Sequence, residues 1–218
     1  MAQSKARATR DPAKTRARVL AAATEIFADK GFAGATVEAI ASAAAVNMRM
    51  IHHYFGDKAG LYVAVLEDLL GHLRQAELRP IEETGTAIEG LLDMYDMIFK
   101  HFGDSPELVR ILATENIMSA RFLASSVATP VVASPSLRNI AALLARGQQD
   151  GTIRRQVDPL HLYVSMVGLA LFHRSNGYTL SHIWATDIFA ADWQNDHRRL
   201  GRDMLRGLLA FEGYRDHV

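Results

Sequence analysis

The side chains best suited to specific polar contacts lie in one short stretch, at Met48, Arg49, His52 and His53. A helix across this stretch would carry a cation, a thioether and two imidazoles on its outer face. Its inner stripe takes apolar residues, namely Val46, Met50 or Ile51, and Tyr54 or Phe55. A helix of about two turns is too short to be stable alone, so another element must hold it. These properties are typical of a recognition helix.

The residues just before this helix provide the element that holds it. Thr36 can cap a preceding helix, in which Glu38 lies in the first turn, where its charge suits the helix dipole. Asn47 can cap the recognition helix itself. Between them Ala45 occupies the turn, where a residue other than glycine carries a strain of about 1 kcal/mol if φ is positive. The preceding helix has its apolar positions at helical spacing, at Val37, Ile40, Ala41 and Ala44.

Longer helices flank this pair. Residues 12–30 carry an apolar helical stripe, and Gly31 stops that helix. Lys58 opens another helix, which is predicted to run to about Leu78 and to end at Pro80. A cation in the first turn opposes the helix dipole, but it suits a phosphate that approaches the helix N-terminus. Because this helix continues from the small domain into a larger one, it is the expected mechanical link.

Residues 12–62 resemble the DNA-binding domain of TetR-type transcriptional regulators. The residues that match the family pattern are Phe27, Gly31-Phe32, Thr36-Val37, Ile40-Ala41, Val46, Ile51, Tyr54-Phe55, Lys58 and Leu61. The chain departs from the pattern at three positions. The family usually has Tyr where this chain has His52, Gly where it has Ala45, and Ser or Thr where it has Asn47.

The resemblance implies that the partner is a double-stranded DNA operator. On that basis Met48, Arg49 and His52 are expected to face base edges. Phosphates are expected to be held by Thr36, His53, Tyr54 and Lys58. The basic arm at residues 1–11 is either a solvated tail or a segment that enters the adjacent minor groove.

Composition is consistent with a protein that contacts a polyanion with one end. The 218 residues have zero formal net charge, but residues 1–58 hold nine basic and five acidic groups, a balance of +4 that leaves −4 for the remainder. The chain has no cysteine, which excludes a disulfide scaffold and a cysteine-built zinc site. The first ten residues lack the apolar core of a signal peptide, and the longest apolar run, at residues 163–172, is too short to span a bilayer. We therefore predict a cytoplasmic protein with no membrane partner.

The remainder of the chain is predicted to be helical. Further helices are expected at about residues 86–101, 105–126, 134–151, 158–173 and 192–211, with a loop-like stretch at 177–193 that holds one helical turn. No strand-like alternation or repeat is present. The fold class is therefore all-α with about nine helices. The predicted domains are residues 1–57, with the helix-turn-helix and the basic arm, and residues 58–218, for ligand binding and dimerisation.

No pattern of residues indicates catalysis, a metal or a cofactor. A Gly-x-Ser-x-Gly elbow, a glycine-rich phosphate loop and a His-Glu-x-x-His motif are all missing from the sequence. The nine histidines are adjacent or isolated, which favours satisfied or solvated side chains over metal ligands. Asp93 and Asp96 have the spacing of a carboxylate pair, but with Glu89 they are more simply interpreted as a solvated face. We therefore predict a chain that is not an enzyme.

The helix at about 159–173 is apolar on nearly every side, so it can serve the subunit core and a partner subunit at once. TetR-type proteins pair their last two long helices, and the resemblance implies a homodimer built in the same way. The alternative is an entirely intramolecular core. The predicted interface residues are Leu160, Val164, Val167, Leu171, Leu200, Met204 and Leu208.

The resemblance also implies a ligand pocket among the middle helices. Aromatic and Met side chains there could line an apolar cavity, and a few polar groups could orient a ligand. The alternative is that these residues are plain core. The candidates are Tyr95, Phe99, Asn116, Met118, Phe122, Phe172, His173 and Asn176.

These observations favour a ligand-responsive repressor that an apolar or aromatic small molecule releases from a palindromic operator. Within the DNA-binding class, the alternative is a regulator that activates transcription or needs no ligand. From another class, the alternative is an all-α small-molecule-binding protein or enzyme whose helix-turn-helix is incidental.

Overall fold

A computed structural model describes residues 11–77, 85–126 and 135–210. Over these ranges the chain forms ten α-helices, one 3₁₀ turn and no strand. The predicted all-α fold is confirmed, and the tenth helix lies where a loop was expected. The helices are α1 Pro12–Gly34, α2 Val37–Ala43, α3 Met48–Phe55, α4 Lys58–Glu77, α5 Ala87–Asp104, α6 Pro106–Ile117, α7 Pro135–Gln149, α8 Pro159–Ser175, α9 Gly177–Trp184 and α10 Ala191–Ala210, with the 3₁₀ turn at Leu123–Ser125.

Some predicted features lie outside the described residues. They are most of the basic arm, the helix end at Leu78 with Pro80, the start at residue 134 of the helix predicted at 134–151, and the last residue of the final helix, Phe211. Among the helices that are described, none is long and apolar enough to cross a membrane.

Inter-residue contacts divide the chain into two compact units, at residues 1–68 with 110–126 and at residues 69–109 with 127–218. The predicted domains instead divide the chain between residues 57 and 58. The helix-turn-helix belongs to the first unit, together with the end of α6 and the 3₁₀ turn. Helix α4 begins in the first unit and ends in the second.

The first unit is built around an aromatic cluster. The ring centroids of Phe27 and Tyr62 are 4.9 Å apart, and Phe32 lies 5.3 Å from Tyr62. Phe122 joins them from the 110–126 segment, at 4.3 Å from Phe32 and 5.0 Å from Tyr62. Gly31, at φ 65° and ψ 177°, breaks the regular course of α1, which agrees with its predicted role as a helix stop.

Helix α6 ends at Ile117, and the prediction that it continues to Ser126 was wrong. Ser119 and Ala120 take positive φ angles of 57° and 56°, which a helix cannot accommodate. The buried carboxylate of Glu115 holds the turn, because its Oε1 accepts the backbone N–H groups of Phe122 at 2.7 Å and Leu123 at 2.8 Å. This long-range capping by one side chain is not visible in the helical periodicity.

The prediction of a loop-like stretch at 177–193 was wrong at its start, where α9 forms a helix of two turns. Ala185, at φ 49°, ends the helix. The chain then returns, and the hydroxyl of Ser181 accepts the N–H of Ile188 at 3.0 Å. Gly177 lies so close to the ring of Phe189 that a Cβ there would be 2.4 Å from Cζ. The stabilising contacts thus come from residues outside α9 itself.

The second unit is organised around α5 and α8. Helix α5 packs against α7, α8 and α10, and α8 also packs against α7, α9 and α10. Asp158 caps α8 at the predicted helix start, since its Oδ1 accepts the N–H groups of Leu160 and His161 at 2.9 Å. The fully buried core includes Leu91, Leu92, Tyr95, Met166 and Ala170.

Candidate nucleic-acid interface

Both predicted caps of the helix-turn-helix are confirmed. The hydroxyl of Thr36 accepts the N–H of Ala39 at 3.1 Å, and Oδ1 of Asn47 accepts the N–H of Arg49 at 2.9 Å. These bonds satisfy backbone donors that the first turn of each helix leaves open. The Thr36 hydroxyl proton stays available to donate, as a phosphate contact would require.

Helix α3 presents the predicted outer face. Met48, Arg49, His52 and His53 are exposed. On the inner side the structure resolves the two alternatives, because Ile51 and Phe55 are buried. Met50 and Tyr54, the other two alternatives, are half-buried, so each has part of its side chain at the surface. That these groups contact DNA stays a prediction.

The turn between α2 and α3 contains the strain expected at Ala45, whose φ is 50°. A residue with a Cβ is destabilised by about 1–2 kcal/mol in this left-handed region. The turn is held by three backbone hydrogen bonds, from Ala44 to Ile40, from Ala45 to Ser42 and from Val46 to Ala41. Those bonds fix the angle at which α3 leaves α2.

Replacing Ala45 by glycine should therefore stabilise the helix-turn-helix. The strain relieved exceeds the roughly 0.4–1 kcal/mol of unfolded-state entropy that glycine adds, so a gain of up to about 1 kcal/mol is expected. Hydrogen-exchange protection of α2 and α3, followed by mass spectrometry, measures it. Ala43→Gly is the matched control, because Ala43 is exposed and helical. Glycine at this position should lower the free energy of unfolding by about 0.5–1 kcal/mol. A loss of protection in Ala45→Gly would show that the turn is not strained.

The C-terminal end of α3 is tightly fixed. The N–H of Gly56 donates to the carbonyl of His52 at 3.0 Å, and Nδ1 of His52 lies 2.8 Å from the carbonyl of Gly56. Gly56 can complete this pair because its φ of 78° is open to glycine. In the first turn of α4, a Cβ on Gly60 would be 2.1 Å from the carbonyl oxygen of Phe55, so α4 begins in direct contact with the end of α3.

Lys58 is held in place at the start of α4. Its Nζ donates to the carbonyl of Ala33 at 3.4 Å and lies 4.6 Å from the ring centroid of Phe32. The ammonium group keeps further donors for a phosphate. Sequence reasoning placed Lys58 correctly in the first turn of α4, but it gave no sign of these contacts to the end of α1.

A polar groove beside α3 was missed by the sequence analysis. Its volume is about 490 Å³, and its lining includes Arg18 of α1, Ser42 of α2, the cap residue Asn47, and Met50 of α3. Nearby, the guanidinium of Arg16 lies 5.3 Å from the ring centroid of Phe55. Helical periodicity identified the inner stripe of α1, but it did not show that the polar side of that helix borders the start of α3.

In the second unit, the predicted dimer residues form an exposed apolar surface. Leu160 and Val164 of α8 and Leu200 and Met204 of α10 are each more than half exposed, although all four are apolar. Val167, Leu171 and Leu208 are half-buried beside them. Helices α8 and α10 also pack against each other within the subunit. Pairing with a second subunit stays a prediction.

The predicted ligand residues are distributed over both units. Tyr95, Phe99 and His173 meet in the second unit, with ring centroids 6.0 Å apart for Tyr95 and Phe99 and 5.3 Å apart for Phe99 and His173. Phe122, in the first unit, packs against Phe32 and Tyr62.

The other ligand candidates are less enclosed. Phe172 is 61% exposed, because the residue after it, His173, takes the inward position of α8. Asn116 is exposed and donates to the carbonyl of Leu112 at 2.9 Å, while Met118 is half-buried in the turn after α6. Asn176 donates to the carbonyl of Phe172 at 3.0 Å at the end of α8.

The interpretation of the α5 carboxylates as a solvated face was wrong for Asp96. Its carboxylate pairs with Arg198 at 3.0 Å and with Arg202, both on α10. Glu89 pairs with Arg202 at 3.1 Å and with Arg206 at 2.8 Å. The partners are about a hundred positions away in the sequence, so the spacing of the acids alone could not reveal them.

Removal of the charge at Asp96 should destabilise the second unit. Asp96→Asn leaves two partly buried arginines without their shared carboxylate, and a loss of about 1–3 kcal/mol is expected. Asp93→Asn is the control, since Asp93 is 70% exposed and 3.6 Å from Arg202, and a change within about 0.5 kcal/mol is expected. Both tryptophans lie in this unit, so urea unfolding followed by tryptophan fluorescence reports on it. Equal losses in the two variants would contradict the assignment.

His173 lies in a layer of rings between α5, α8 and α10. It stacks on Phe99, its centroid is 4.5 Å from that of His197, and its Nε2 lies 3.0 Å from Oε1 of Gln194. Nε2 of Gln194 donates to the carbonyl of Ile188 at 2.6 Å, so its Oε1 is the acceptor for His173. Burial is the main cause that lowers the pKa of His173 to about 4.

Acidification should therefore destabilise the second unit. The unfolded chain takes up a proton at His173 near pH 6.5, whereas the folded chain does so only near pH 4. The contribution of neutral His173 to the free energy of unfolding is fully present above pH 6.5. It is lost as the pH falls from 6.5 to 4, by an amount on the order of 2–3 kcal/mol. His173→Gln should reduce this loss of unfolding free energy, measured by urea unfolding with tryptophan fluorescence. His182→Gln, at an exposed histidine of α9, should not.

Comparison with known families covers both parts of the chain. The model for bacterial regulatory proteins of the tetR family matches residues 19–65, which include α2 and α3. A second model, described as the tetracyclin repressor-like C-terminal domain, matches residues 88–205.

Individual proteins agree with these matches. The HTH-type transcriptional repressor NicS of Pseudomonas putida is 31% identical over 184 residues, which cover 83% of this chain and 87% of NicS. The putative transcriptional regulator SCO4942 from Streptomyces coelicolor superposes with a TM-score of 0.66 at 22% identity, over 87% of this chain and 97% of that one. FadR from Bacillus subtilis, solved in complex with stearoyl-CoA, superposes with a TM-score of 0.60 at 18% identity, over 90% of this chain and 99% of FadR.

Proposed function

Because the chain belongs to the TetR family of bacterial regulatory proteins, we propose that it is a transcriptional repressor that binds a palindromic operator as a homodimer and leaves it when a small molecule binds. The observation that carries the proposal is the outer face of α3, where a cation and two imidazoles are exposed on a short helix fixed at both ends. In this proposal the chain is not an enzyme.

Each group near α3 has a distinct role in DNA binding. Met48, Arg49 and His52 face base edges, and Arg49 is suited to the O6 and N7 acceptors of guanine. Thr36, His53, Tyr54 and Lys58 hold phosphates, which sets the orientation of α3 in the major groove. Arg18 borders the groove beside Asn47 and adds a phosphate contact. Support for these roles comes from exposure, charge and the match to the family, which includes the NicS repressor.

The dimer is supported by the exposed apolar stripes of α8 and α10. A symmetric pair of these stripes would bury Leu160, Val164, Leu200 and Met204 twice over. Because each is already nearly half-buried in the single chain, each burial contributes roughly 0.8–1.5 kcal/mol. The dimer then spaces two copies of α3 by one turn of DNA, about 34 Å.

The small molecule is proposed to be apolar or aromatic. Support comes from the rings of Tyr95, Phe99 and His173 in the second unit, and from the neutral state in which burial holds His173. The FadR structure, with stearoyl-CoA bound, is an example of a similar fold that takes a ligand with a long apolar acyl chain. Ligand binding favours a conformer in which α4 tilts and the two α3 helices no longer fit successive major grooves.

The decisive experiment measures ligand affinity with and without operator. A working switch has a coupling of about 1–3 kcal/mol, so operator must weaken ligand binding by the same factor that ligand weakens operator binding. Mass spectrometry of the purified protein supplies the candidate ligand, and a mobility shift with DNA from upstream of its own gene supplies the operator. A ligand bound equally well in both states is not the inducer. Absence of any shift at moderate salt would favour a binding protein or enzyme.

A further inference from the structure

The ring of His52 has its hydrogen-bonding pattern fixed by the backbone that follows it. Nδ1 lies 2.8 Å from the carbonyl oxygen of Gly56, and a carbonyl oxygen can only accept. Nδ1 must therefore carry a hydrogen whether the ring is neutral or charged. The return bond from the N–H of Gly56 to the carbonyl of His52, at 3.0 Å, holds the two residues in register.

The other ring nitrogen is the one left for a partner. His52 is exposed on the outer face of α3, and nothing in the described part of the chain bonds to its Nε2. With the hydrogen on Nδ1, a neutral ring offers at Nε2 a lone pair and no donor. A tyrosine hydroxyl, which the family usually has at this position, both donates and accepts. The substitution by His therefore narrows the set of acceptable partners.

Few groups on DNA can donate to such an acceptor. In the major groove the donors are the exocyclic amino groups, N6 of adenine and N4 of cytosine. Guanine O6 and N7, thymine O4 and the phosphate oxygens all accept, so the neutral ring cannot bond to them. An imidazolium would have the opposite preference, since its Nε2–H donates. The charged groups nearest along the chain are Arg49, Asp57 and Lys58, of which Asp57 accepts the N–H of Gly60 and Lys58 is held against Phe32.

We propose that His52 determines operator specificity by accepting a hydrogen bond, at Nε2 of its neutral ring, from the exocyclic amino group of an adenine or cytosine in each half-site. This inference rests on the proposed function, because it requires that α3 enter the major groove. It assigns to one residue a base class that the family resemblance does not define.

The test begins with duplexes selected from a random-sequence library by the wild-type chain. The selection is repeated with His52→Ala and with His182→Ala, at an exposed histidine of α9 that has no role in the proposed DNA contact. One position per half-site should favour adenine or cytosine by roughly tenfold with wild type and with His182→Ala, and this preference should be lost with His52→Ala. In the selected duplex, replacing that adenine by purine, or that cytosine by a pyrimidinone without the amino group, should weaken wild-type binding by a similar factor and leave His52→Ala unaffected.

A pH series separates the base contact from a phosphate contact. If Nε2 accepts from a base, protonation of that nitrogen removes the contact, so affinity should fall as the pH is lowered, and His52→Ala should abolish this dependence. A rise in affinity that depends on His52, or a uniform loss with unchanged base preferences, would place the ring on a phosphate and overturn the inference. A lost preference for guanine or thymine would do the same. If wild type enriches no duplex, the proposed function fails, and this inference fails with it.

Discussion

Met204→Asp should convert the proposed homodimer into a monomer at micromolar concentration and abolish tight operator binding. Met204 is 55% exposed in the single chain, so the substitution should leave the subunit core intact. In a symmetric interface the side chain is lost twice, and because Met204 is already nearly half-buried in the single chain this removes roughly 1.5–3 kcal/mol before the cost of burying two carboxylates is counted. That loss alone weakens the dimer by about one to two orders of magnitude. Sedimentation velocity and mobility shift measure the two effects.

Asn195→Asp is the matched control for this change. Asn195 is also exposed on α10, but it lies on the opposite side of the helix from Met204, and the substitution likewise adds one negative charge. The control should remain dimeric and bind operator. Val164→Asp on α8 should repeat the effect of Met204→Asp. A wild-type chain that sediments as a monomer, or a dimer that survives both substitutions, would refute the interface.

Arg49→Ala should relax the sequence preference of the protein. A bidentate contact between arginine and guanine discriminates by about 1–3 kcal/mol, and a palindromic operator contains that contact twice. The operator affinity should therefore fall by roughly 2–6 kcal/mol while the affinity for random DNA changes little. Titration of the operator duplex and of a random duplex at one fixed salt concentration gives the ratio of the two affinities directly.

Lys58→Ala provides the contrasting variant. The loss of a phosphate contact should weaken binding to operator and random DNA alike, and reduce the slope of log affinity against log salt by about one unit per subunit. Arg199→Ala, at an exposed arginine of the second unit that pairs with Asp196, should change neither quantity. If Arg49→Ala and Lys58→Ala have equal effects on both duplexes, their assigned roles are wrong.

The features that sequence predicted well are those that depend on neighbouring residues. The caps at Thr36 and Asn47 and the left-handed turn at Ala45 are formed within three or four positions along the chain. The outer face of α3 follows from the helical period once Ile51 and Phe55 are taken as its inner stripe. Local hydrogen bonding and helical periodicity both depend only on residues that are close together in the sequence.

The features that sequence missed depend on distant pairs. The bond between Arg202 and Asp96 spans 106 positions, and the bond between Ser126 and Glu67 spans 59. The groove that includes Arg18 and Asn47 requires the relative placement of α1 and α3, which periodicity leaves open. The packing of Phe122 against Phe32 and Tyr62 depends on distant partners in the same way, because a buried aromatic side chain on an apolar stripe looks the same in the sequence wherever its partner lies.

The placement of residues 110–126 matters for anyone who builds hybrid regulators by exchanging sensor domains. A single junction at residue 68 would transplant the helix-turn-helix without Phe122, and would leave the rings of Phe32 and Tyr62 without the side chain that packs against both. Glu115, which shapes the turn that carries Phe122, would be lost as well. The exchangeable module of this protein is therefore discontinuous, and a functional chimera needs three junctions rather than one.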